Sequence, residues 1–235
     1  MKVALVNNSG NVGKSFLSRE LFYPNMKDGV IIEVETHNSS SSNFNVKTEK
    51  IKGNDFKKLF PLMYKYDEFV VDVGASQIIP FLNELSKNSE IFEDIDFIII
   101  PTTNDDKIQE DTIKTIMLLE NLGLGKKVRV ILNKADHIEE FDNFFSMVKE
   151  NTEVSIYSEL RILQYDILNN LDSSKKCAFE LANDDTDFKA LSREAFKSGD
   201  DEEGTTLAEL DYLKTFSKGI KNNMDSVYAL LISTK

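Results

Sequence analysis

Residues 1–15 of the chain read MKVALVNNSGNVGKS: a short apolar run, a loop that contains two glycines, and then a lysine and a serine. The segment Asn8–Ser15 matches the phosphate-binding pattern Gly-x-x-x-x-Gly-Lys-[Ser/Thr] at its last three positions, and Asn8 stands in place of the first glycine. The backbone N–H groups of such a loop face inward and bind an anion, and the following helix adds its positive N-terminal end. The stretch therefore predicts a strand, a phosphate-binding loop and a helix.

The side chains of this loop indicate how a nucleotide would be held. Lys14 would bridge the terminal phosphates, which makes it a candidate catalytic residue, and the Ser15 hydroxyl would ligate Mg²⁺. The alternative is a tight strand-to-helix turn in which the glycines and the lysine are incidental. The residues predicted to contact the nucleotide here are Gly10, Asn11, Val12, Gly13, Lys14, Ser15 and Phe16.

Carboxylates near the ends of two further apolar runs are candidates for the metal site and for the chemistry. Asp72 interrupts the run Phe69–Val73, where an unpaired buried carboxylate would be costly, so we expect it to serve Mg²⁺. Gly74 lets the backbone approach a γ-phosphate. Glu33 and Glu35 alternate, so both side chains point the same way. We expect Glu33 at the metal and Glu35 at the attacking water, the alternative being a solvated strand end.

A polar segment that follows another apolar run predicts contacts with the base. It reads Asn133-Lys134-Ala135-Asp136. An amide such as that of Asn133 can bind a purine edge, and Asn-Lys-x-Asp is also the pattern by which many GTPases bind guanine, with the carboxylate accepting from the ring. The segment therefore leaves ATP and GTP as alternatives, and we place Asn133, Lys134 and Asp136 among the nucleotide contacts.

Short apolar runs that alternate with helix-like stretches predict the fold. The runs are β-branched and nearly continuous, as in strands buried on both faces of a parallel sheet. Such alternation predicts an α/β, doubly wound, mostly parallel sheet with a helical, acidic C-terminal extension. The predicted strands are Val3–Val6, Val30–Val34, Phe69–Val73, Phe97–Ile100, Val128–Leu132 and, less regularly, Val154–Tyr157; the predicted helices are Lys14–Phe22, Asp55–Lys65, Gln77–Lys87, Lys107–Leu122 and Ile138–Glu150.

The pattern changes after about residue 158. We expect residues 1–158 to form the nucleotide-binding core and residues 159–235 to form a helical part that packs on the same domain. Within that part we predict helices at Leu160–Leu171 and Leu207–Met224. The stretch Glu180–Asp211 has 11 acidic and three basic residues. It is either a solubilising surface or a docking site for a basic partner.

The composition excludes several classes of protein. With 28 Lys and Arg against 40 Asp and Glu the net charge is −12, so the molecule does not coat nucleic acid through its total charge. Basic stretches at Asn45–Lys65 and Lys126–Lys134 are solvated surface or weak phosphate contacts, so we expect little direct DNA binding. One cysteine and two histidines exclude cysteine-based and multi-histidine metal centres. The sequence lacks a transmembrane run of about 18 apolar residues, and we expect a cytoplasmic protein.

Taken together, the motifs resemble the ParA/MinD group of ATPases with a deviant Walker A loop. The resemblance covers roughly residues 1–150 and rests on the loop, the acids after the second strand, Asp72-Val73-Gly74, Pro101 after the fourth strand and Asn133-Lys134 after the fifth. Within the group, the loop is most similar to that of StbB-type plasmid-stability proteins. The resemblance implies an ATP·Mg²⁺ switch that dimerises around nucleotide and positions plasmids or other cargo, here through a DNA-binding adaptor.

Two departures from that group bear on mechanism. Ser9 stands where the group has a lysine that reaches the partner's nucleotide, and Glu33-x-Glu35-Thr36 stands where it has Asp-x-Asp-Pro. Slow hydrolysis is expected from the longer acids, and the lysine-dependent mode of dimerisation is not expected. Three hypotheses follow: an ATPase switch, a GTPase switch, and a nucleotide-gated binding module with negligible hydrolysis.

Overall fold

The strands form where the apolar runs lie, because β-branched residues fit a sheet covered on both faces. We describe a computed structural model over residues 1–35, 44–52, 55–87 and 93–234. Thr36 lies outside these residues. The strands are β1 (Lys2–Leu5), β2 (Val30–Glu35), β3 (Thr48–Lys52), β4 (Phe69–Val73), β5 (Phe97–Thr102), β6 (Val128–Asn133) and β7 (Arg161–Ile162).

Helices follow most of the strands, and several begin or end in a tighter or wider turn. A π-helix at Ser18–Phe22 continues the first helix, and 3-10 turns at Phe56–Lys58, Ala75–Gln77 and Ile138–Phe141 lead into later ones. The α-helices are α1 (Lys14–Leu17), α2 (Leu59–Lys65), α3 (Ile78–Ser86), α4 (Asp106–Asn121), α5 (Asp142–Asn151), α6 (Leu168–Ser174), α7 (Ala178–Ala182), α8 (Phe188–Ser198) and α9 (Asp201–Ser233).

The sheet is parallel throughout the described residues, with seven strands in the order β3-β2-β4-β1-β5-β6-β7. Helices α2 to α5 cover one face, and α1, α6, α7 and α9 cover the other. This confirms the predicted α/β, doubly wound fold. Strand β1 lies in the middle of the sheet, with β4, β2 and β3 on one side and β5, β6 and β7 on the other. The loop after β1 therefore lies at the switch point of the strand order, which is where such sheets bind ligands.

The C-terminal region adds a long amphipathic helix to the face that carries α1. Helix α9 spans 33 residues and turns one side towards the sheet. Its buried side chains include Leu213, Ile220, Met224, Val227 and Leu231. Two residues of the acidic stretch Glu180–Asp211 have a structural role. Asp187 caps α8 by accepting from Ala190 N, and Asp200 caps α9 by accepting from Glu203 N.

Four details of the sequence prediction were wrong or incomplete. Val154–Tyr157 is irregular rather than a strand. Its side chains Val154 and Ile156 are partly buried and pack against the core on the face of the sheet that α5 covers. The predicted helix Leu160–Leu171 begins instead with strand β7, because Leu160 and Ile162 enter the core beside β6. Strand β3 was not predicted. The closing helix is longer at both ends than Leu207–Met224.

The division at residue 158 stays a prediction. Strand β7 lies beyond that boundary and pairs with β6 through Leu132↔Arg161 and Asn133↔Ile162. Among the residues described, no helix combines the length and the apolar character that crossing a bilayer requires.

Candidate functional site

The loop between β1 and α1 curls around the side chain of Lys14. Asn11 and Gly13 have positive φ angles of 57° and 91°, which turn the backbone before the helix starts. The amide of Asn133 fills the space that a Cβ on Gly13 would need, and its Nδ2 donates to Val12 O at 3.0 Å. A side chain at position 13 would therefore be both strained and obstructed.

Lys14 is a buried cation inside this loop. Its side chain is 8% exposed, and Nζ donates to Ser9 O at 3.1 Å and to Asn7 O at 3.4 Å. Burial lowers the pKa of Lys14, while the nearby carboxylates of Asp72 and Glu35 raise it. A desolvated ammonium group that donates to carbonyl oxygens favours an anion in the loop, so the residues fit a phosphate chain.

Ser15 and Asp72 meet at the carboxyl edge of the sheet. The Ser15 hydroxyl lies near the buried Asp72 carboxylate and lowers its pKa. Mg²⁺ takes one or two protein oxygens and completes its shell with phosphate oxygens and water. Among the described residues no group of three His, Cys, Asp or Glu side chains forms a metal cage. The Ser15–Asp72 pair fits Mg²⁺ that arrives with a nucleotide.

Burial dominates the ionisation of Asp72. It raises the pKa of this carboxyl to about 6, against the lowering effects of the Ser15 hydroxyl and the Lys14 charge, while Glu33 and Glu35 raise it further. Well below pH 4 the group is protonated in both the folded and the unfolded chain. Between about pH 4 and pH 6 the carboxyl ionises in the unfolded chain but stays protonated in the folded protein, so the free energy of unfolding falls over this window and stays lower at neutral pH.

Replacement of Asp72 with asparagine is therefore expected to stabilise the protein in the absence of nucleotide and Mg²⁺. We expect the free energy of unfolding to rise by about 1–3 kcal/mol at pH 7.5, and by much less at pH 4, where the wild-type carboxyl is already neutral. Urea unfolding at the two pH values measures this difference. The control is Asp185→Asn, since Asp185 is exposed. Equal stability of the wild type and Asp72→Asn at pH 7.5 would contradict the expectation.

Glu35 lies over Gly74. Its carboxylate atoms are 2.5 Å from the position that a Cβ on Gly74 would occupy. The glycine thus makes room for the glutamate, and Glu35 lines the same pocket as Lys14 and Asp72. Gly74 itself supports the pocket from behind Glu35 rather than lining it.

Glu33 sits one step further from the pocket. It pairs in register with Asp72 and with Lys50, is 2% exposed, and approaches Lys50 Nζ at 3.7 Å. It does not line the pocket that contains the loop. A direct metal contact from Glu33 stays a prediction, and its observed partner is a lysine on β3.

The residues predicted to contact the base divide into two groups. Asn133 and Lys134 line the pocket, but the Asn133 amide is engaged by the loop, with Oδ1 accepting from Lys134 N at 3.1 Å. Asp136 does not line the pocket, and its Oδ1 accepts from Gln164 N at 3.0 Å. The base contacts stay predictions, and the structure gives Asp136 a different observed partner.

The pocket has a volume of about 910 Å³ and a wall that the sequence analysis missed. Ala75 and Ser76 follow β4, and residues after β7 close the other side. The residues after β7 were predicted as part of the helix Leu160–Leu171, so their position at the carboxyl edge of the sheet was not recognised. Identification of β7 as a strand would have placed them there, because the carboxyl ends of parallel strands meet at one edge of the sheet. The missed residues are Ala75, Ser76, Leu163, Gln164, Tyr165 and Leu168.

Ser9 is fixed inside the fold. Its Oγ donates to Asp111 Oδ2 on α4 at 2.7 Å, and its N–H donates to Asn7 Oδ1 at 2.8 Å. It is 8% exposed. The position that carries a lysine in the ParA/MinD group therefore anchors the loop to α4 in this chain.

Comparison with solved structures agrees with this fold. A putative plasmid partition protein from Borrelia burgdorferi bound to AMPPNP is 17% identical, with a TM-score of 0.52 over 93% of this chain and 98% of that one. A chain of the MinC:MinD cell division protein complex from Aquifex aeolicus is 14% identical, with a TM-score of 0.51 over 75% of this chain and 87% of that one. Apo McdA from Cyanothece is 13% identical, with a TM-score of 0.51 over 89% and 98%.

At these identities the likenesses show that the chain shares its fold with these proteins. Among protein-family models and curated protein sequences nothing matches the chain.

Proposed function

We propose that this chain is an ATP·Mg²⁺-dependent switch of the ParA/MinD type that hydrolyses ATP slowly. The observation that carries the proposal is the buried Lys14 ammonium group inside the loop between β1 and α1, beside Ser15 and Asp72. A cation, a glycine-containing loop before a helix, a hydroxyl and a carboxylate are the groups that bind a triphosphate and its metal, and their proximity supports the proposal. The solved Borrelia structure, which holds AMPPNP, supports ATP as the nucleotide.

Each group has a separate proposed task in the reaction. Lys14 holds the terminal phosphates, Ser15 and Asp72 hold Mg²⁺, and Glu35 orients the attacking water. Bound Mg²⁺ supplies positive charge that offsets the charge of the phosphates. Glu35 has one more methylene than aspartate and is wedged against Gly74, so its carboxylate position is set by packing. We expect slow turnover because the Glu35 side chain is one methylene longer than the aspartate that the ParA/MinD group has at this position.

The partner of the Asp136 carboxylate distinguishes the ATP proposal from the GTP alternative. A guanine-binding carboxylate must face the base, whereas Asp136 accepts from the backbone of Gln164. We therefore expect unlabelled ATP to displace a fluorescent ATP analogue at lower concentration than GTP does. We also expect Asp136→Asn to change the affinities for ATP and GTP by the same factor, within about twofold, because it acts on the pocket wall that both share.

The alternative GTPase hypothesis makes the opposite forecast for this competition experiment. A carboxylate that binds guanine would give a variant with a selective loss of GTP affinity of roughly 100-fold. Asp185→Asn serves as the matched control, because that exposed carboxylate lies outside the pocket. A selective loss in Asp136→Asn alone would establish the guanine contact and overturn the proposal for ATP.

The biological task that we propose is plasmid stability, partition or conjugative maintenance, through a DNA-binding adaptor. Support comes from the StbB-like loop and from the fold shared with a putative plasmid partition protein. The MinC:MinD complex is a solved case in which a protein of this fold binds a second protein. A cytoplasmic location belongs to the same proposal, since the single cysteine, Cys177, is a buried thiol.

Direct DNA contact has little support from the basic stretches. In Asn45–Lys65, Lys58 pairs with Asp55 and Lys65 pairs with Glu49. In Lys126–Lys134, Arg129 donates to backbone oxygens and to Thr234. Cations that already pair with neighbouring protein groups contribute less to the counterion release that drives DNA binding. An adaptor that supplies the DNA contact is the simpler arrangement.

A nucleotide-dependent homodimer is a further part of the proposal, with an interface that differs from the lysine-dependent one. Ser9 is tied to Asp111 and is too short to reach across an interface. The alternative of a binding module with negligible hydrolysis is favoured by the same serine and by the unusual Glu35. Phosphate release under multiple turnover, compared with Lys14→Ala, distinguishes the two.

A further inference from the structure

One wall of the nucleotide pocket is an irregular segment that connects β7 to α6. Leu163, Gln164 and Tyr165 line the pocket opposite the phosphate-binding loop. At its end, Tyr165 O accepts from Leu168 N at 3.4 Å in the turn that leads into α6. The N–H groups of Leu163 and Gln164 donate instead to side chains from elsewhere in the fold.

Asn223 on helix α9 holds this segment through three hydrogen bonds. Its Oδ1 accepts from Leu163 N at 3.1 Å and from the Tyr165 hydroxyl at 3.0 Å. Its Nδ2 donates to Arg161 O at 3.2 Å. A single half-buried amide thus satisfies backbone groups at the end of β7 and the side chain of a residue that lines the pocket. Asparagine supplies both the acceptor and the donor that this arrangement uses.

The same segment is held from the side of β6. Asp136 accepts from Gln164 N, so the backbone of the wall is fixed between Asp136 and Asn223. Burial, and after it the charge of Asp136, raise the pKa of Tyr165 to about 12. The Tyr165 hydroxyl therefore keeps its proton at neutral pH and continues to donate to Asn223.

We propose that Asn223 is a positioning residue for nucleotide binding: it fixes the β7–α6 segment so that Leu163, Gln164 and Tyr165 form the wall against the base and ribose. The inference rests on the proposed nucleotide function and deepens it. It links the long C-terminal helix to the pocket, although Asn223 itself does not line the pocket. The phosphate-binding loop is outside its influence, because that loop is anchored through Asn133 and Asp111.

The experiment compares two ligands that use different parts of the pocket. ATP contacts both the loop and the wall, whereas inorganic tripolyphosphate contacts the loop alone. Both are measured with Mg²⁺ by displacement of a fluorescent ATP analogue from the full chain, well below the thermal midpoint of each variant. The variants are Asn223→Ala and, as the matched control, Asn222→Ala, which removes the same side chain from the adjacent, exposed position.

We expect Asn223→Ala to weaken ATP binding about tenfold and to change tripolyphosphate binding by less than about twofold. Asn222→Ala should change neither affinity. Tyr165→Phe should weaken ATP binding about threefold in the wild type and have no further effect in Asn223→Ala, because the bond that it removes is already lost. Equal losses for the two ligands, an unchanged ATP affinity, or additive effects of the two substitutions would overturn the proposal.

A measurement without nucleotide separates this inference from the proposed function. In hydrogen–deuterium exchange, the amides of residues 161–165 should exchange faster in Asn223→Ala than in the wild type and in Asn222→Ala. Unchanged exchange there would overturn the role of Asn223 even if ATP binds. If wild-type protein bound neither ATP nor tripolyphosphate, the nucleotide function and the role of Asn223 in nucleotide binding would both be rejected. Faster exchange in Asn223→Ala would still establish that Asn223 holds the β7–α6 segment in place.

Discussion

Replacement of Lys14 with alanine is expected to weaken the binding of Mg·ATP by roughly 100-fold or more, because each charged hydrogen bond to a phosphate contributes about 1.5–3 kcal/mol. The variant should fold, since the lysine is a desolvated cation whose removal relieves an electrostatic cost in the empty loop. Titration with a fluorescent ATP analogue measures the affinity, and urea unfolding without nucleotide checks the fold.

The control for this prediction removes a positive charge elsewhere. Lys149 is exposed on α5 and lies outside the pocket, so Lys149→Ala should bind ATP like the wild type. An ATP affinity of Lys14→Ala within threefold of the wild type would mean that the loop is a structural turn, and the proposed function would be lost. An equal loss in Lys149→Ala would point to net charge instead.

Substitution of Glu35 by glutamine should separate binding from hydrolysis. We expect ATP turnover to fall by roughly 100-fold, as is common when a group that orients or activates water is removed. Glutamine keeps the shape that packs on Gly74 and removes a negative charge near the phosphates, so ATP affinity should stay the same or rise slightly. Phosphate release and displacement titration on the same preparations measure the two quantities.

The matched control is Glu194→Gln, on the exposed side of α8. Its turnover should equal that of the wild type. If Glu35→Gln hydrolysed ATP at the wild-type rate, Glu35 would have no role in orienting water. If the wild type itself released phosphate no faster than Lys14→Ala, the binding module without appreciable hydrolysis would replace the ATPase proposal.

The central strands and the phosphate-binding loop were predictable because each is determined by a short stretch of sequence. The runs at Val30–Val34 and Phe69–Val73 are covered on both faces, and such strands are nearly continuous in apolar residues. The loop turns at Gly13, whose positive φ angle favours glycine, and the helix begins directly after it. These parts of the fold and of the phosphate end of the pocket follow from short stretches of sequence.

The edges of the sheet were not predictable by the same rules. Strand β3 buries only Ile51 fully, so its sequence is polar and lacks a continuous apolar run. Strand β7 is two residues long, and the spacing of Leu160, Leu163 and Ile167 imitates a helix. The pocket wall and the role of Asn223 depend on contacts between residues distant in sequence, such as Asn223 with Leu163. Periodicity carries no information on such contacts.

The central place of β1 also has a consequence for how the molecule folds. Its partners in the sheet come much later in the chain, with Lys2 opposite Phe69 and Val3 opposite Phe97. Such non-local parallel pairing requires large loops to close first and makes folding slow. During synthesis the phosphate-binding loop is made before β4 and β5, so it acquires its supporting sheet only after about residue 100 has been made. A nascent chain shorter than this contains every residue of the loop but has no means to position it.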